Sequence, residues 1–282
     1  MNIEIEAIMY PVLVLGGLGF VFASGLAYAS QKFHVEIDPK ITQVRDVLPG
    51  ANCGACGVPG CDGFARGVVA GELPVDGCPV GGSECAEAVA KVMGVESNGL
   101  AKMVAKVICN GDSTKCKENF VYEGIEDCTA AALVRGGSKS CSYGCLGLST
   151  CVRACPFDAI EITEDKIAKI IIEKCTGCKK CVIACPKNVI DMVPYDKYVV
   201  VACNNKEPAK VVRAKCSVSC IGCKICVKAC PVDAIGFDNN LAIIDYEKCI
   251  NCFICEKKCP TKAIEGELDR MKEAKKKKKQ NS

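Results

Sequence analysis

A chain of 282 residues with 26 cysteines, no tryptophan and one histidine is either a disulfide scaffold or a metal scaffold. Disulfide frameworks belong to short secreted chains, whereas this one is long enough for about two domains, and a single histidine excludes histidine-rich zinc or haem sites. The formal charge of +3 carries no nucleic-acid signature, and without Lys275 to Lys279 the remainder is slightly acidic.

From Ala7 to Gln31 there is no Asp, Glu, Lys or Arg. As a helix this stretch reaches about 37 Å, enough to cross a hydrocarbon core of about 30 Å. A cleaved signal peptide would need a basic leader, but Glu4 and Glu6 precede the apolar run. Residues 1–31 therefore read as a single transmembrane anchor. Lys32, Lys40 and Arg45 follow the span, so the positive-inside rule puts the N-terminus outside and the rest in the cytoplasm. Cytosolic thiols stay reduced, which makes the cysteines ligands. His34 reads as an interfacial residue.

Residues 32–95 form a Gly-rich domain carrying Cys53, Cys56, Cys61 and Cys78 at C-x2-C-x4-C-x16-C spacing. Its glycines permit a tight loop with free N–H groups around sulfur. The spacing alone leaves both a 4Fe-4S cluster and zinc open. Cys85 lies in a helix opened by Ser83 and reads as structural. Residues 96–140 follow as a linker region with further cysteines.

Residues 141–200 hold Cys175, Cys178, Cys181 and Cys185 at C-x2-C-x2-C-x3-C spacing, followed by Pro186. Ahead of them stands a modified copy, Cys141, Cys145, Cys151 and Cys155, followed by Pro156. After a connector over 201–219, residues 220–266 repeat the motif twice, at Cys220, Cys223, Cys226 and Cys230 and at Cys249, Cys252, Cys255 and Cys259. This is the bacterial ferredoxin signature, in which the fourth cysteine of each run ligates the other cluster of a pair. Zinc has no use for a third cysteine in one loop. Crossed ligation predicts four sites. The first joins Cys141, Cys145, Cys151 and Cys185; the second Cys155, Cys175, Cys178 and Cys181. The third joins Cys220, Cys223, Cys226 and Cys259; the fourth Cys230, Cys249, Cys252 and Cys255. Each Cys-Pro is expected to start a helical turn that runs into a short strand, which gives small α+β units with clusters for a core. Residues 267–282 form a basic tail expected to be disordered.

The stretch from Cys53 to Gly82 and the segment from Asp127 to Ile160 resemble the B subunit of the Rnf electron-transport complex, in its longer form with two ferredoxin modules. The resemblance implies a 4Fe-4S cluster at Cys53, Cys56, Cys61 and Cys78. It also favours a sixth cluster on Cys109, Cys128, Cys203 and Cys216, with Cys116 competing for one place, so that five or six 4Fe-4S clusters are expected and six favoured. It implies soluble ferredoxin as electron donor and flavin- and NAD-binding membrane subunits as partners. The whole complex would reduce NAD and translocate Na⁺ or H⁺. No phosphate loop, dinucleotide fingerprint or nucleophile–base pair occurs, so no catalytic residue, flavin or NAD site is expected on this chain. Lys179-Lys180, Lys257-Lys258 and the tail are candidate docking charge. Rival roles for the same scaffold are a reductase for an iron–sulfur transcription regulator and a membrane-tethered polyferredoxin without ion coupling.

Overall fold

The computed structural model describes residues 2–33, 38–97 and 101–280, and His34 lies outside them. A first helix α1 (Asn2–Lys32) is followed by α2 (Pro39–Val47), α3 (Gly60–Val69) and α4 (Gly82–Met93). Strand β1 (Met103–Val107) and helix α5 (Cys128–Leu133) come next. Then come α6 (Thr150–Ala154), β2 (Ile160–Ile162), β3 (Ala168–Ile170), α7 (Lys180–Ala184) and β4 (Ile190–Pro194). The last part holds β5 (Val199–Val201), α8 (Ala209–Lys215), α9 (Ile225–Ala229), β6 (Ile235–Asp238) and β7 (Leu241–Ile244), then α10 (Ile254–Lys258), β8 (Ile264–Gly266) and α11 (Leu268–Gln280).

Helix α1 is apolar on every side. Leu13, Leu15, Phe20, Phe22 and Leu26 are all exposed, and the stretch Met9–Lys32 has a mean hydropathy of 2.0 with none of it buried against the protein. A helix without a polar face suits a membrane span rather than a surface. Among the described residues it is the one helix long and apolar enough to cross a bilayer.

Helices α2, α3 and α4 make a small unit around Val44, Leu48, Phe64, Val68 and Val89. Asp38 starts α2 by accepting a 2.8 Å hydrogen bond from Lys40 N, with Pro39 at the first helical position. Helix α4 begins at Gly82, so Ser83 sits inside the first turn and does not cap it; Gly94 ends the helix in the left-handed region at φ 71°.

The two ferredoxin modules share one plan. Hairpin β2–β3 in the first corresponds to β6–β7 in the second. A strand from upstream then closes each module: β1 pairs antiparallel with β4, and β5 with β8. Two sequence-based boundaries move as a result. The segment 96–140 supplies β1 and α5 to the first module. Val199 to Val201 belong to the second, because their ladder partners are Gly266 to Ile264. After each Cys-Pro the chain makes a turn through a left-handed residue and starts no helix: Asp158 (φ 48°), Asn188 (50°), Asp233 (49°) and Lys262 (55°).

The tail also departs from expectation. Leu268–Gln280 is helical. Met271 and Ala274 pack on the second module, and the Arg270 guanidinium lies 4.7 Å over the Tyr195 ring and 4.9 Å over Tyr198. Lys106 of β1 makes a buried ion pair with Glu267, tying the first module to the root of this helix. An open cleft lies between the modules beside that pair, and Cys109 is the one cysteine lining it.

Candidate iron–sulfur sites

The cysteines surround cavities of similar size. Cys220, Cys223, Cys226 and Cys259 line one of about 370 Å³. Cys230, Cys249, Cys252 and Cys255 line another of about 340 Å³. Both sets pair three cysteines of one loop with the fourth of the other. Near the membrane anchor, Cys53, Cys56, Cys61 and Cys78 line a cavity of about 320 Å³ with Phe64 as apolar wall. Asn52 shapes that loop by accepting a 2.8 Å hydrogen bond from Cys61 N. Among the described residues no three His, Cys, Asp or Glu side chains converge on a single ion position. Sulfurs spread round a cavity suit a four-iron cubane, while zinc needs all its ligands at about 2.3 Å from one point.

The first module arranges its cysteines differently from the sequence-based grouping. In each of the four loops a left-handed residue precedes the short helix: Ser149 (φ 63°), Lys179 (62°), Lys224 (60°) and Phe253 (60°). Two residues earlier stands another: Gly147 (72°), Gly177 (74°), Gly222 (64°) or Asn251 (56°). Glycine is demanded where backbone crowds in. A Cβ on Gly147 would meet Lys166 O at 2.3 Å, and one on Gly177 would meet Met103 O at 2.5 Å. The residue between the two markers is Cys178, Cys223 or Cys252 in three loops, and Leu148 in the first. Leu148 therefore stands where the other loops have their second cysteine, and Cys145 is the first cysteine of its loop.

Cys128 lies beside that loop. It opens α5 and packs with Leu146 and Leu148. Asp127 holds it there, accepting from Thr129 N and Ala130 N while also binding Thr150 Oγ1 and Arg153. Burial and then the neighbouring thiols of Cys145, Cys128, Cys185 and Cys181 push Cys151 up to about 12. Burial followed by Cys175, Cys178 and Cys155 does the same to Cys181, also to about 12. The structure thus sets Cys128 beside the first loop, away from the cavity lined by Cys109, Cys203 and Cys216, and sets Cys141 on that cavity, unlike the sequence-based grouping.

Cys141 instead faces a further cavity of about 330 Å³, lined also by Cys109, Cys116, Cys203 and Cys216. These five come from both modules. Asn110 N donates 3.1 Å to Ala202 O, and Cys116 and Cys216 face each other in a single antiparallel bridge. The Cys116 thiol donates to Cys216, which raises the Cys116 pKa and lowers that of Cys216. Asn205, 1 % exposed, donates through Nδ2 to Cys141 Sγ at 3.2 Å. Cys85 lines none of these cavities; burial and then Cys78 push it up to about 11, and its Sγ lies 3.5 Å from Val47 O.

Backbone N–H groups also reach sulfur. Ala234 N donates to Cys230 Sγ at 3.3 Å, Ala263 N to Cys259 Sγ at 3.2 Å and Ala105 N to Cys175 Sγ at 3.4 Å. Such bonds tune cluster potential. Burial raises the thiols of Cys78, Cys109, Cys145, Cys151, Cys181, Cys203, Cys226 and Cys255, so bare thiolates are disfavoured there and metal binding must drive off the protons.

Fold and cysteines together define a polyferredoxin: tandem two-cluster modules joined to a smaller cluster domain and an apolar helix. Families described as "4Fe-4S dicluster domain" match residues 142–192, 174–235 and 219–263, and one described as "Putative Fe-S cluster" matches 48–80. The B subunit of the Na(+)-translocating ferredoxin:NAD(+) oxidoreductase complex of Acetobacterium woodii is 49% identical over 265 residues, covering 94% of this chain and 80% of that one. Its proton-translocating counterpart from Clostridium ljungdahlii is 46% identical, covering 85% of each. The B subunit of the ion-translocating oxidoreductase complex of Methanosarcina acetivorans is 42% identical over 86% of this chain and 92% of its own. The chain belongs to this family of B subunits of ion-translocating oxidoreductase complexes.

Proposed function

We propose that this chain is the membrane-anchored electron relay of an ion-translocating ferredoxin:NAD oxidoreductase. It takes electrons from reduced soluble ferredoxin and passes them to flavin- and NAD-binding partner subunits, and the complex moves Na⁺ or H⁺. The observation that carries the reading is the set of cysteine-ringed cavities, one in the first domain and the others within and between the two joined ferredoxin modules. When bound, 4Fe-4S clusters supply one-electron transfer. The protein's part is to hold them, shield them and direct N–H groups at their sulfurs.

Six sites are assigned. Cys53, Cys56, Cys61 and Cys78 serve the first domain. Cys128, Cys145, Cys151 and Cys185 serve the first ferredoxin loop, and Cys155, Cys175, Cys178 and Cys181 the second. Cys220, Cys223, Cys226 and Cys259, and Cys230, Cys249, Cys252 and Cys255, serve the second module. The sixth takes four of Cys109, Cys116, Cys141, Cys203 and Cys216. Cys223 and Cys252 are the exposed cysteines among the described residues. This supports docking of ferredoxin on the second module, where Lys257 and Lys258 close α10. The basic flank after α1 supports an outside N-terminus with the cluster domains in the cytoplasm.

Iron analysis of the anaerobically purified full chain tests the assignment: six four-thiolate sites require about 24 irons. Stoichiometric zinc, or about 20 irons, would remove one or more sites. Membranes should lose ferredoxin-driven NAD reduction when this chain is deleted and regain it with the intact chain. Unchanged activity in the deletion would refute the relay role.

A further inference from the structure

Lys139 is 4% exposed, yet no carboxylate among the described residues lies within ion-pair distance of it. Its Nζ donates to Gly111 O at 2.7 Å. Lysine is almost never buried without an opposite charge. The other buried lysine among the described residues, Lys106, has Glu267.

What surrounds Lys139 is sulfur. A Cβ on Gly111, whose carbonyl it binds, would lie 3.1 Å from Cys216 Sγ and 3.8 Å from Cys109 Sγ. A Cβ on Gly144 would lie 3.6 Å from Cys141 Cβ and 3.7 Å from Lys139 Cδ, so the lysine stem runs beside Cys141. The remaining cation nearby, Lys187, is half-buried, donates to Gly136 O at 2.9 Å and faces Cys141 and Cys185. Asn205 contributes a neutral donor to Cys141.

We infer that Lys139 is the buried counter-charge of the inter-module cluster and holds its reduction potential up. The inference rests on the cluster reading of that cavity given above. Four thiolates around a 4Fe-4S core leave a net negative charge, and reduction adds one more electron. A fixed cation in a low-dielectric site stabilises the reduced form more than the oxidised one. Lys139 is thus a positioning residue for charge: it makes the joint between the modules easier to reduce than its burial alone would allow.

The test is a potentiometric EPR titration of the anaerobically purified full chain. Lys139→Gln keeps an N–H donor for Gly111 and loses only the charge. Its iron content should match wild type while one cluster becomes at least tenfold harder to reduce, a shift of about 59 mV for one electron. Lys139→Arg should restore the wild-type value. The shifted cluster must be the one whose signal changes in the double variant Cys109→Ser/Cys203→Ser. Selective loss of about four irons in Lys139→Gln, regained in Lys139→Arg, supports the same role. Full iron with unmoved potentials, a shift in a different cluster, or iron loss spread over all sites overturns it. Failure of the underlying site is separately visible, as unchanged iron and spectra in the double variant Cys109→Ser/Cys203→Ser, which removes at least one ligand whichever four of the five cysteines bind.

Discussion

The two ferredoxin modules carry the same motif, hairpin and closing strand, yet their metal sites meet solvent differently. In the first, Cys145, Cys151, Cys175, Cys178 and Cys181 are all buried. In the second, Cys223 and Cys252 are exposed and Cys220, Cys230, Cys249 and Cys259 only partly covered. The difference comes from chain added ahead of each module. Between β1 and its first loop the first module inserts a long segment that supplies α5, Cys116, Cys128, Cys141 and Lys139. Between β5 and its loop the second inserts only α8 and a turn, and α11 packs on another side. A duplicated motif thus yields one enclosed module and one open module, and solvent exposure is itself a lever on cluster potential.

The sharpest way to break the comparison is to make the first loop like the others. Cys128→Ser should remove about four irons per chain. Adding Leu148→Cys to that variant should restore them, because position 148 holds the register of Cys178, Cys223 and Cys252. Iron and acid-labile sulfide assays read both outcomes, and a Cys128→Ser protein with full iron would contradict the assignment. Oxygen should separate the modules next. On air exposure about eight irons, those of the open module, are expected to leave first, and native mass spectrometry of the time course would show it.

Smaller effects probe the seam and the cap. Glu267→Ala strands the Lys106 ammonium, whose side chain is 8% exposed. Breaking a buried pair costs about 3–5 kcal/mol, and the 31% exposure of Glu267 places this one toward the lower end. Burial outweighs the partner at Lys106, lowering its pKa. At Glu267 burial opposes, but Lys106 and Arg270 prevail and the carboxyl is lowered. Comparative melting of the holo-protein should show the loss at neutral pH. Asp127→Ala should lower stability least. Its carboxylate is held below the usual value of 3.8, first by the Ala130 N–H, then by Thr150 and, against a small burial cost, Arg153. The contribution is therefore full above the ordinary carboxylate pKa and fades as pH falls through the lower folded value. Melting curves of wild type and variant should converge in acid and separate by about pH 6; parallel curves would contradict the cap.

The duplicated modules were legible because four-residue ligand sets on one short loop leave a covalent trace in spacing. The register of the first loop was written there too, in a signal easily passed over. Six positions separate Cys145 from Cys151, as they separate Cys175 from Cys181, Cys220 from Cys226 and Cys249 from Cys255. Cys141 lies outside that interval, and its nearness to Cys145 invited the wrong grouping. The thiol that replaces Leu148 comes from Cys128, and spacing carries no information about a ligand that arrives from a separate helix. The tail misled for a related reason. A lysine run reads as solvated chain, whereas Met271, Ala274 and Arg270 find apolar and aromatic partners only once the second module has folded.

Taken alone, the sequence determined the apolar N-terminal helix, the iron–sulfur class of the cysteine motifs and which cysteines the second module gathers round two cavities, because each depends on residues near one another in the chain. Tertiary structure alone decided which five cysteines meet between the modules, that Cys128 lies beside the first loop, and that a lysine lies buried beside sulfur without a carboxylate. Those depend on loop closures spanning up to about a hundred residues, and on burial, which turns an ordinary lysine into a fixed charge.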